Sequence, residues 1–150
     1  MTLQDILTPD CTLCAITGSS KKRVIDKICT IAAAKIPDVS PYELVESLTR
    51  REKLGSTGIG NGIAIPHGRL TNTESVIAVV VTTEEPVNFD AIDNKPVDIF
   101  IALFVPEEAC QDHLLTLQSI AKLFSNKETA KKVRKCKDNE ELFNIILQHH

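Results

Sequence analysis

The stretch that decides the fold is Val97-Asp98-Ile99-Phe100-Ile101-Ala102-Leu103-Phe104-Val105, which Pro106 follows directly. A second run, Ser75–Thr82, is also largely apolar and rich in valine. Continuous apolar runs of this length indicate strands buried on both faces, because a half-exposed strand alternates apolar with polar residues. We therefore expect these two runs to form the centre of a small sheet that is covered by helices on both sides.

Two shorter segments are expected to add to this sheet. A short edge strand is predicted within Glu85–Asp90, between the two central strands and ahead of an Asp93-Asn94 turn. Another short strand, Ile63–Ile65, leads towards His67.

Two helices are predicted before the strands. Ser19 or Ser20 is placed to cap a helix that runs to about Ile36, where the following proline stops it. The sequence Ser40-Pro41-Tyr42-Glu43 is a capping box with proline at the first helical position, and it predicts a second helix that ends just before Gly55.

Three further helices are predicted after the strands. One runs from about Glu108 to Ser125, and Asn126 and Asp138 are placed to cap the other two. The apolar stripe of the first is Leu114, Leu117, Ile120, Ala121 and Phe124. Helices on both sides of a small buried sheet make the predicted fold class α/β.

Length and composition favour one ordinary globular domain spanning 1–150. The chain has 150 residues, of which 43% are hydrophobic and 25% charged, and its net charge is −3. The mild negative charge argues against nucleic acid as a partner. The longest wholly apolar runs, Val76–Val81 and Ile99–Val105, are too short to insert into a membrane, and no signal peptide pattern is present. We therefore expect a cytoplasmic protein.

The cysteines do not predict a disulfide framework or a metal centre. Five cysteines are scattered along the chain: Cys11, Cys14, Cys29, Cys110 and Cys136. The first two form a lone C-x-x-C without a second pair or a histidine pair at zinc spacing. We expect partly buried small side chains, and packing is also the favoured role for Cys110.

A glycine-rich loop presents one histidine. The segment Gly55-Ser56-Thr57-Gly58-Ile59-Gly60-Asn61-Gly62 precedes Ile63–Ile65, and His67 then lies between Pro66 and Gly68. Glycine permits positive φ and close approach to a ligand, whereas proline fixes its own φ. Histidine is largely neutral near pH 7 and is then nucleophilic. The segment predicts a loop that holds one reactive imidazole in the open.

Nucleotide cofactors fit this loop poorly, and other uses of His67 stay open. No Gly-Lys-Ser/Thr follows the spacing of Gly55 and Gly60, and the third glycine of a dinucleotide fingerprint is absent, so no cofactor is predicted. Metal binding would have only the distant His113 as a partner histidine. A purely structural histidine is possible, although the Pro-His-Gly context suits core packing badly.

Nucleophilic use of His67 would suit phosphoryl transfer. Histidine can form a covalent phospho-intermediate, and transfer at phosphorus is helped by cations that neutralise the equatorial oxygens. The candidate cations are Arg50, Arg51 and Arg69, and Arg51 lies near the end of a helix onto which the glycine loop can fold back. His113 could face the same site or could equally cap its helix.

The residues resemble the IIA domain of the mannitol/fructose class of the bacterial phosphoenolpyruvate-dependent phosphotransferase system. The stand-alone nitrogen-regulatory branch of that family is the closer likeness, and the resemblance covers nearly the whole chain. The segments that carry it are Arg51-Glu52-Lys53-Leu54, Gly60-Asn61-Gly62-Ile63-Ala64-Ile65-Pro66-His67-Gly68, Phe89-Asp90, Asp93-Asn94-Lys95-Pro96-Val97-Asp98 and His113-Leu114.

The resemblance implies a site and partners. His67 would be phosphorylated at Nε2, Arg51 would hold the phosphoryl oxygens, and His113 would be the second active-site histidine. The donor would be a phosphorylated HPr-like carrier protein, charged from phosphoenolpyruvate by the first enzyme of the system. The implied fold is an α/β/α sandwich on a mixed sheet of about five strands. Whether Thr57 or Asn61 also touches the phosphoryl group is left open.

Three functions are compatible with these residues. The first is a phosphocarrier that regulates target proteins, for which the resemblance suggests a potassium transporter or a sensor kinase. The second is a metabolic carrier that passes the phosphoryl group to a IIB domain of a sugar permease. The third is a pure interaction module, against which the intact set of Arg51, His67 and His113 counts.

Overall fold

Six strands form one mixed sheet in the computed structural model, which describes residues 2–71, 73–108 and 113–148. In chain order the strands are β1 (Thr12–Ile16), β2 (Gly58–Gly60), β3 (Ile63–Ala64), β4 (His67–Leu70), β5 (Ile77–Val87) and β6 (Val97–Pro106). Their order in the sheet is β1-β5-β6-β3-β2, and β4 also pairs with β6. The pair β5–β6 is antiparallel, whereas β3 and β4 both run parallel to β6.

Strands β3 and β4 share one side of β6, which explains why about five strands were expected and six are present. Ile63 is paired with Ile99 and His67 with Leu103, so the two short strands follow each other along the same neighbour. Pro66 lies between them and cannot donate a backbone hydrogen bond. Its carbonyl oxygen still accepts from the Leu103 N–H at 2.9 Å, so contact with β6 continues across the break.

The prediction of a central strand buried on both faces is confirmed by β6. Phe100, Ala102 and Phe104 belong to the core on one side of the sheet, and Ile99 and Ile101 belong to the core on the other. Such alternation follows from the two-residue period of a strand. Every residue from Ile99 to Val105 is buried, as the uninterrupted apolar run requires.

The separate edge strand predicted within Glu85–Asp90 is wrong. Its first residues continue β5, which extends to Val87 and pairs there with Val97. The pairing register shifts between Thr82 and Val87, and such an irregularity lets one strand bend and continue. The polar residues Glu84 and Glu85 are exposed within that strand, which is why the sequence pattern suggested a break.

Helices cover both faces of the sheet, so the predicted α/β/α sandwich is confirmed. The helices are α1 (Leu3–Ile6), α2 (Lys21–Ala33), α3 (Pro41–Glu52), α4 (Leu114–Ser125), α5 (Lys127–Arg134) and α6 (Asn139–Gln148). Buried side chains of α2 and α3 join the core that contains Phe100 and Phe104. Those of α1, α4, α5 and α6 join the core that contains Ile99 and Ile101.

The predicted helix starts are confirmed at four caps. Ser20 Oγ accepts from the Arg23 N–H, and Ser40 Oγ accepts from the Glu43 N–H. The side-chain oxygens of Asn126 and Asp138 likewise accept from the first turns of α5 and α6. Each such bond satisfies a backbone N–H that has no partner inside its helix.

Two predicted helix limits differ from the structure. Helix α2 ends at Ala33, before the expected Ile36. Helix α4 begins at Leu114 rather than near Glu108, although residues 109–112 lie outside the described part of the chain. Leu114 was expected in the apolar stripe of α4, but 53% of its surface is exposed, because it lies on the first turn of the helix.

Cysteines at the described positions are free thiols. Cys11, Cys29 and Cys136 are buried and Cys14 is half-buried, as the prediction of partly buried small side chains required. Burial raises the pKa of the Cys29 thiol to about 12, so it stays protonated and unreactive. Cys110 lies outside the described residues.

The two ends of the described chain lie side by side. Gln4 Nε2 donates to the carbonyl oxygen of Ile146 at 3.0 Å. Leu3 and Ile146 are both fully buried in the core that α1 shares with α6. The first and last helices therefore stabilise each other.

Candidate functional site

The site depends on a close approach of α3 to β4. Gly68 has no side chain, and a Cβ atom at this position would lie 2.2 Å from Ser47 Oγ. In place of a clash, Ser47 Oγ donates a hydrogen bond to the carbonyl oxygen of Arg69 at 2.9 Å. Arg51 is one helical turn beyond Ser47 on the same face of α3, so this approach brings its guanidinium to the ring of His67.

The ring of His67 is held at both nitrogens. Nδ1 lies 2.8 Å from the carbonyl oxygen of Ile65. That oxygen can only accept, so Nδ1 carries the proton and the lone pair is on Nε2. Arg51 Nε donates to Nε2 at 3.2 Å, and a second nitrogen of the guanidinium donates to the carbonyl oxygen of Gly55 at 2.8 Å. Both contacts therefore require the tautomer that carries its proton on Nδ1.

Burial favours the neutral form of this ring. Desolvation is the largest effect, and it lowers the pKa of His67 below the usual 6.5. The hydrogen bond to Ile65 acts in the opposite direction, the nearby positive charges of Arg51 and Arg69 lower the pKa, and the Glu52 carboxylate raises it. A neutral imidazole is a nucleophile at pH 7 once its Nε2 lone pair is released from the hydrogen bond with Arg51.

A pocket of about 430 Å³ opens beside the ring, and we call it the His67 pocket. All the predicted site residues line it. Its positively charged or titratable members are Arg50, Arg51, His67, Arg69 and His113, its acidic member is Glu107, and its apolar members include Leu54, Leu103, Leu114 and Leu117. The structure thus brings the three candidate arginines and both histidines to one cavity.

His113 immediately precedes the first residue of α4, and its side chain turns inward. The residue is 7% exposed, and its buried Nδ1 has no hydrogen-bond partner among the residues that the structure describes. It makes no side-chain cap to α4. A buried polar atom without a partner is costly. His113 therefore lines the His67 pocket and has one buried ring nitrogen without a partner in the described part of the chain.

Thr57 and Asn61 were left open as further contacts, but both are engaged elsewhere. Thr57 is buried, and its hydroxyl donates to Glu52. The backbone N–H of Asn61 donates to Asp93 Oδ2 at 3.0 Å, and its carbonyl oxygen accepts from Arg134. Neither residue lines the His67 pocket. These contacts fix the glycine-rich loop and do not reach the cavity.

Glu52 is the buried charged residue that the sequence analysis missed. It follows Arg51 at the end of α3, and its side chain is 5% exposed. Lys21 Nζ lies 2.8 Å from its Oε2, which forms a largely buried ion pair. No spacing in the sequence signals this role, because its partners come from α2 and from the loop after α3.

The described residues offer no cluster of metal ligands. Across 2–71, 73–108 and 113–148, no three side chains of His, Cys, Asp or Glu converge as a metal ion would require. In the same ranges, none of the helices has the length and apolar character that spanning a bilayer takes.

Two curated proteins are similar to the chain over nearly its whole length. A nitrogen regulatory protein of Pseudomonas aeruginosa is 42% identical over 145 residues, which covers 97% of this chain and 94% of that protein. A nitrogen regulatory protein of Escherichia coli is 43% identical over 145 residues, which covers 96% of this chain and 88% of that protein.

The fold and a family match agree with these sequence similarities. The crystal structure of the nitrogen regulatory protein IIA-Ntr from Neisseria meningitidis has a TM-score of 0.90 at 35% identity, covering 96% of this chain and 98% of that one. Residues 5–149 match the family described as "Phosphoenolpyruvate-dependent sugar phosphotransferase system, EIIA 2". The chain therefore belongs to the EIIA 2 family of the phosphoenolpyruvate-dependent sugar phosphotransferase system.

Proposed function

We propose that this chain is a regulatory phosphocarrier in which His67 accepts a phosphoryl group from a phosphorylated HPr-like protein. The observation that carries the proposal is the ring of His67, which is fixed at Nδ1 by Ile65 and faces Arg51 through Nε2. Family membership supports a phosphotransferase component, and the names of the two relatives favour a regulatory over a metabolic role.

The transfer step uses the tautomer that the contacts define. The Nε2 lone pair of His67 attacks phosphorus and a new N–P bond forms, while the bond to the donor breaks and its electron pair leaves with the donor. Nδ1 keeps its proton throughout, because its partner is the carbonyl oxygen of Ile65. His67 therefore needs no separate general base.

The guanidinium of Arg51 makes two different contacts, one before and one during this step. In the free protein its Nε–H occupies the lone pair of His67 Nε2. As phosphorus arrives, the guanidinium shifts to the phosphoryl oxygens and neutralises their charge. At 4 Å and an effective dielectric of 20, one such charge pair has a gross attraction on the order of 4 kcal/mol. His113 lines the same pocket and is the second histidine that can approach the phosphoryl group there.

The mouth of the His67 pocket suits a protein donor. Leu54 is 83% exposed and Leu114 53% exposed, and both line the cavity. Exposed leucines beside arginines give a surface that a carrier protein can cover with apolar contacts while its phosphoryl group is held by charge. Phosphorylation then adds about −1.5 to −2 charges to this surface at pH 7. Free and phosphorylated forms therefore differ in which target they bind.

The proposal is tested by intact mass after incubation with phosphoenolpyruvate, the first enzyme of the system and its HPr-like carrier. The wild type should gain one phosphoryl group that acid removes, and His67→Ala should gain none. No gain by the wild type, when both accessory proteins phosphorylate a control IIA protein, would refute a phosphocarrier and leave an interaction module.

The regulatory part is tested separately by binding. The affinity of the free and the phosphorylated wild type for candidate target proteins is measured. His67→Ala, which lacks the residue to be phosphorylated, is the control. A target that binds one form at least ten-fold more tightly supports regulation. Phosphoryl transfer to a IIB domain with equal target binding by both forms would show the metabolic role instead.

A further inference from the structure

We propose that Glu52 is a positioning residue for His67, acting through Thr57 and Ile65 rather than by contact with the ring. This inference rests on the proposed function, because it assigns a further residue to the same reaction. Glu52 lies outside the His67 pocket, and its charge is buried with a side-chain exposure of 5%. Burying a carboxylate costs free energy of folding unless charged and hydrogen-bonding partners surround it.

Each step from Glu52 to the ring is a hydrogen bond. The Glu52 carboxylate accepts from the Thr57 N–H at 3.2 and 3.3 Å and also from the Thr57 hydroxyl. The carbonyl oxygen of Thr57 accepts from the Ile65 N–H at 3.0 Å. The carbonyl oxygen of Ile65 accepts the hydrogen bond from the Nδ1–H of His67 at 2.8 Å. The path therefore ends on the atom that selects the tautomer.

Glu52 is itself fixed by a neighbouring element. Lys21 Nζ lies 2.8 Å from Glu52 Oε2 and 3.8 Å from Asp90 Oδ2, and it stands 4.5 Å from the centroid of the Phe89 ring. The carboxylate thus has one well-defined position between α2, α3 and the loop. Arg51 immediately precedes Glu52 in α3. One helical turn therefore carries both Arg51, which contacts His67 Nε2, and Glu52, which acts on the Nδ1 partner Ile65 through Thr57.

The inference predicts that losing Glu52 loosens the ring while the fold persists. In Glu52→Ala the Thr57 N–H and hydroxyl lose their acceptor, so Thr57, whose carbonyl oxygen accepts from the Ile65 N–H, is less firmly positioned. We expect the NMR chemical shifts of the His67 ring nitrogens to change from the values of a single tautomer to those of a mixture of both tautomers. The rate of phosphorylation should fall about 10- to 100-fold, by analogy with the groups that orient a metal-bound histidine. Glu52→Gln keeps an oxygen for Thr57 and should restore most of the rate.

Glu46→Ala is the matched control, because Glu46 is an exposed glutamate on the same helix. It should leave both the tautomer and the rate unchanged. A folded Glu52→Ala protein with the wild-type tautomer and rate would overturn the inference. If Glu52→Ala does not fold, Thr57→Val, which lacks the hydroxyl that donates to Glu52, is measured in the same two ways, and a wild-type tautomer and rate in a folded Thr57→Val protein overturn the inference.

The two proposals fail in different ways. The tautomer of His67 is measured without any phosphoryl donor, so it tests Glu52 even if the wild type is never phosphorylated. The wild type could be phosphorylated while Glu52→Ala changes neither the tautomer of His67 nor the rate. That result would support the phosphocarrier function and refute the role of Glu52.

Discussion

Replacing Gly68 with alanine tests whether the approach of α3 to β4 sets the geometry of the site. The added Cβ would meet Ser47 Oγ at 2.2 Å, about 1.2 Å short of the 3.4 Å at which ordinary van der Waals contact begins. Rotation of the hydroxyl would relieve this contact and sacrifice its bond to Arg69. It would still leave Cβ and the carbonyl carbon of Ser47 at 3.1 and 3.3 Å. Helix α3 must therefore move away from β4.

The displacement has a calculable effect on Arg51. Its Nε lies 3.2 Å from His67 Nε2, so a shift of a few tenths of an ångström already reaches the limit of a hydrogen bond near 3.5 Å. Overpacking of this kind costs about 1–3 kcal/mol of unfolding free energy. A misplacement of about 1 Å can reduce a rate about 100-fold. We expect Gly68→Ala to fold, with phosphorylation at least about ten-fold slower.

The assay is the initial rate of phosphoryl gain by mass spectrometry, paired with urea unfolding. The double variant Ser47→Gly with Gly68→Ala removes the opposing side chain and should recover most of the rate. It should remain less stable than the wild type, because glycine in a helix and the lost Ser47 hydrogen bond each cost about 1 kcal/mol. A wild-type rate in Gly68→Ala, or no recovery in the double variant, would refute this reasoning.

Three further predictions follow from the contacts already described. Arg51→Lys should slow phosphorylation about ten-fold or more with little change in Tm, because lysine lacks the two separate, rigidly held donor nitrogens that reach His67 Nε2 and the Gly55 carbonyl; an unchanged rate would contradict this. Because burial lowers the pKa of His67, the unfolded state binds more protons as the pH falls. The wild type should therefore lose more unfolding free energy below pH 6.5 than His67→Gln does, and parallel urea midpoints for the two would argue against it. Asn126→Ala removes the cap of α5 and should cost about 1 kcal/mol while leaving the phosphorylation rate unchanged, whereas a slower rate would mean that α5 affects the site.

The central elements were predictable from sequence because their signals are strong and local. The apolar run of β6 and the Ser-Pro start of α3 each specify one structure without help from neighbours. Strand β4 was missed because Gly68 and Arg69 have no strand preference, and its extended form comes from pairing with β6. Strand β1 was also missed, because its five residues form no long apolar run, and pairing with Val80 and Val81 defines it.

The site was predictable in composition but not in geometry. Three arginines were candidates, and the choice among them depends on which face of α3 meets β4. The sequence does not determine which face of α3 meets β4, whereas the contact between Ser47 and Gly68 identifies that face. Glu52 escaped notice because its partner Thr57 lies across a turn and Lys21 lies on another helix. Roles that depend on tertiary contacts leave no spacing pattern to detect.

The contact between α1 and α6 makes this fold suited to rearrangement of its connectivity. Gln4 and Ile146 are already joined by a hydrogen bond, so a short peptide linking these two helices would span little distance. Helix α6 packs on β1, which lies three strand positions from β4, or about 14 Å at the usual strand spacing. A circular permutant, or a reporter attached at either end, should therefore leave the surroundings of His67 intact and allow its phosphorylation to be followed inside a larger assembly.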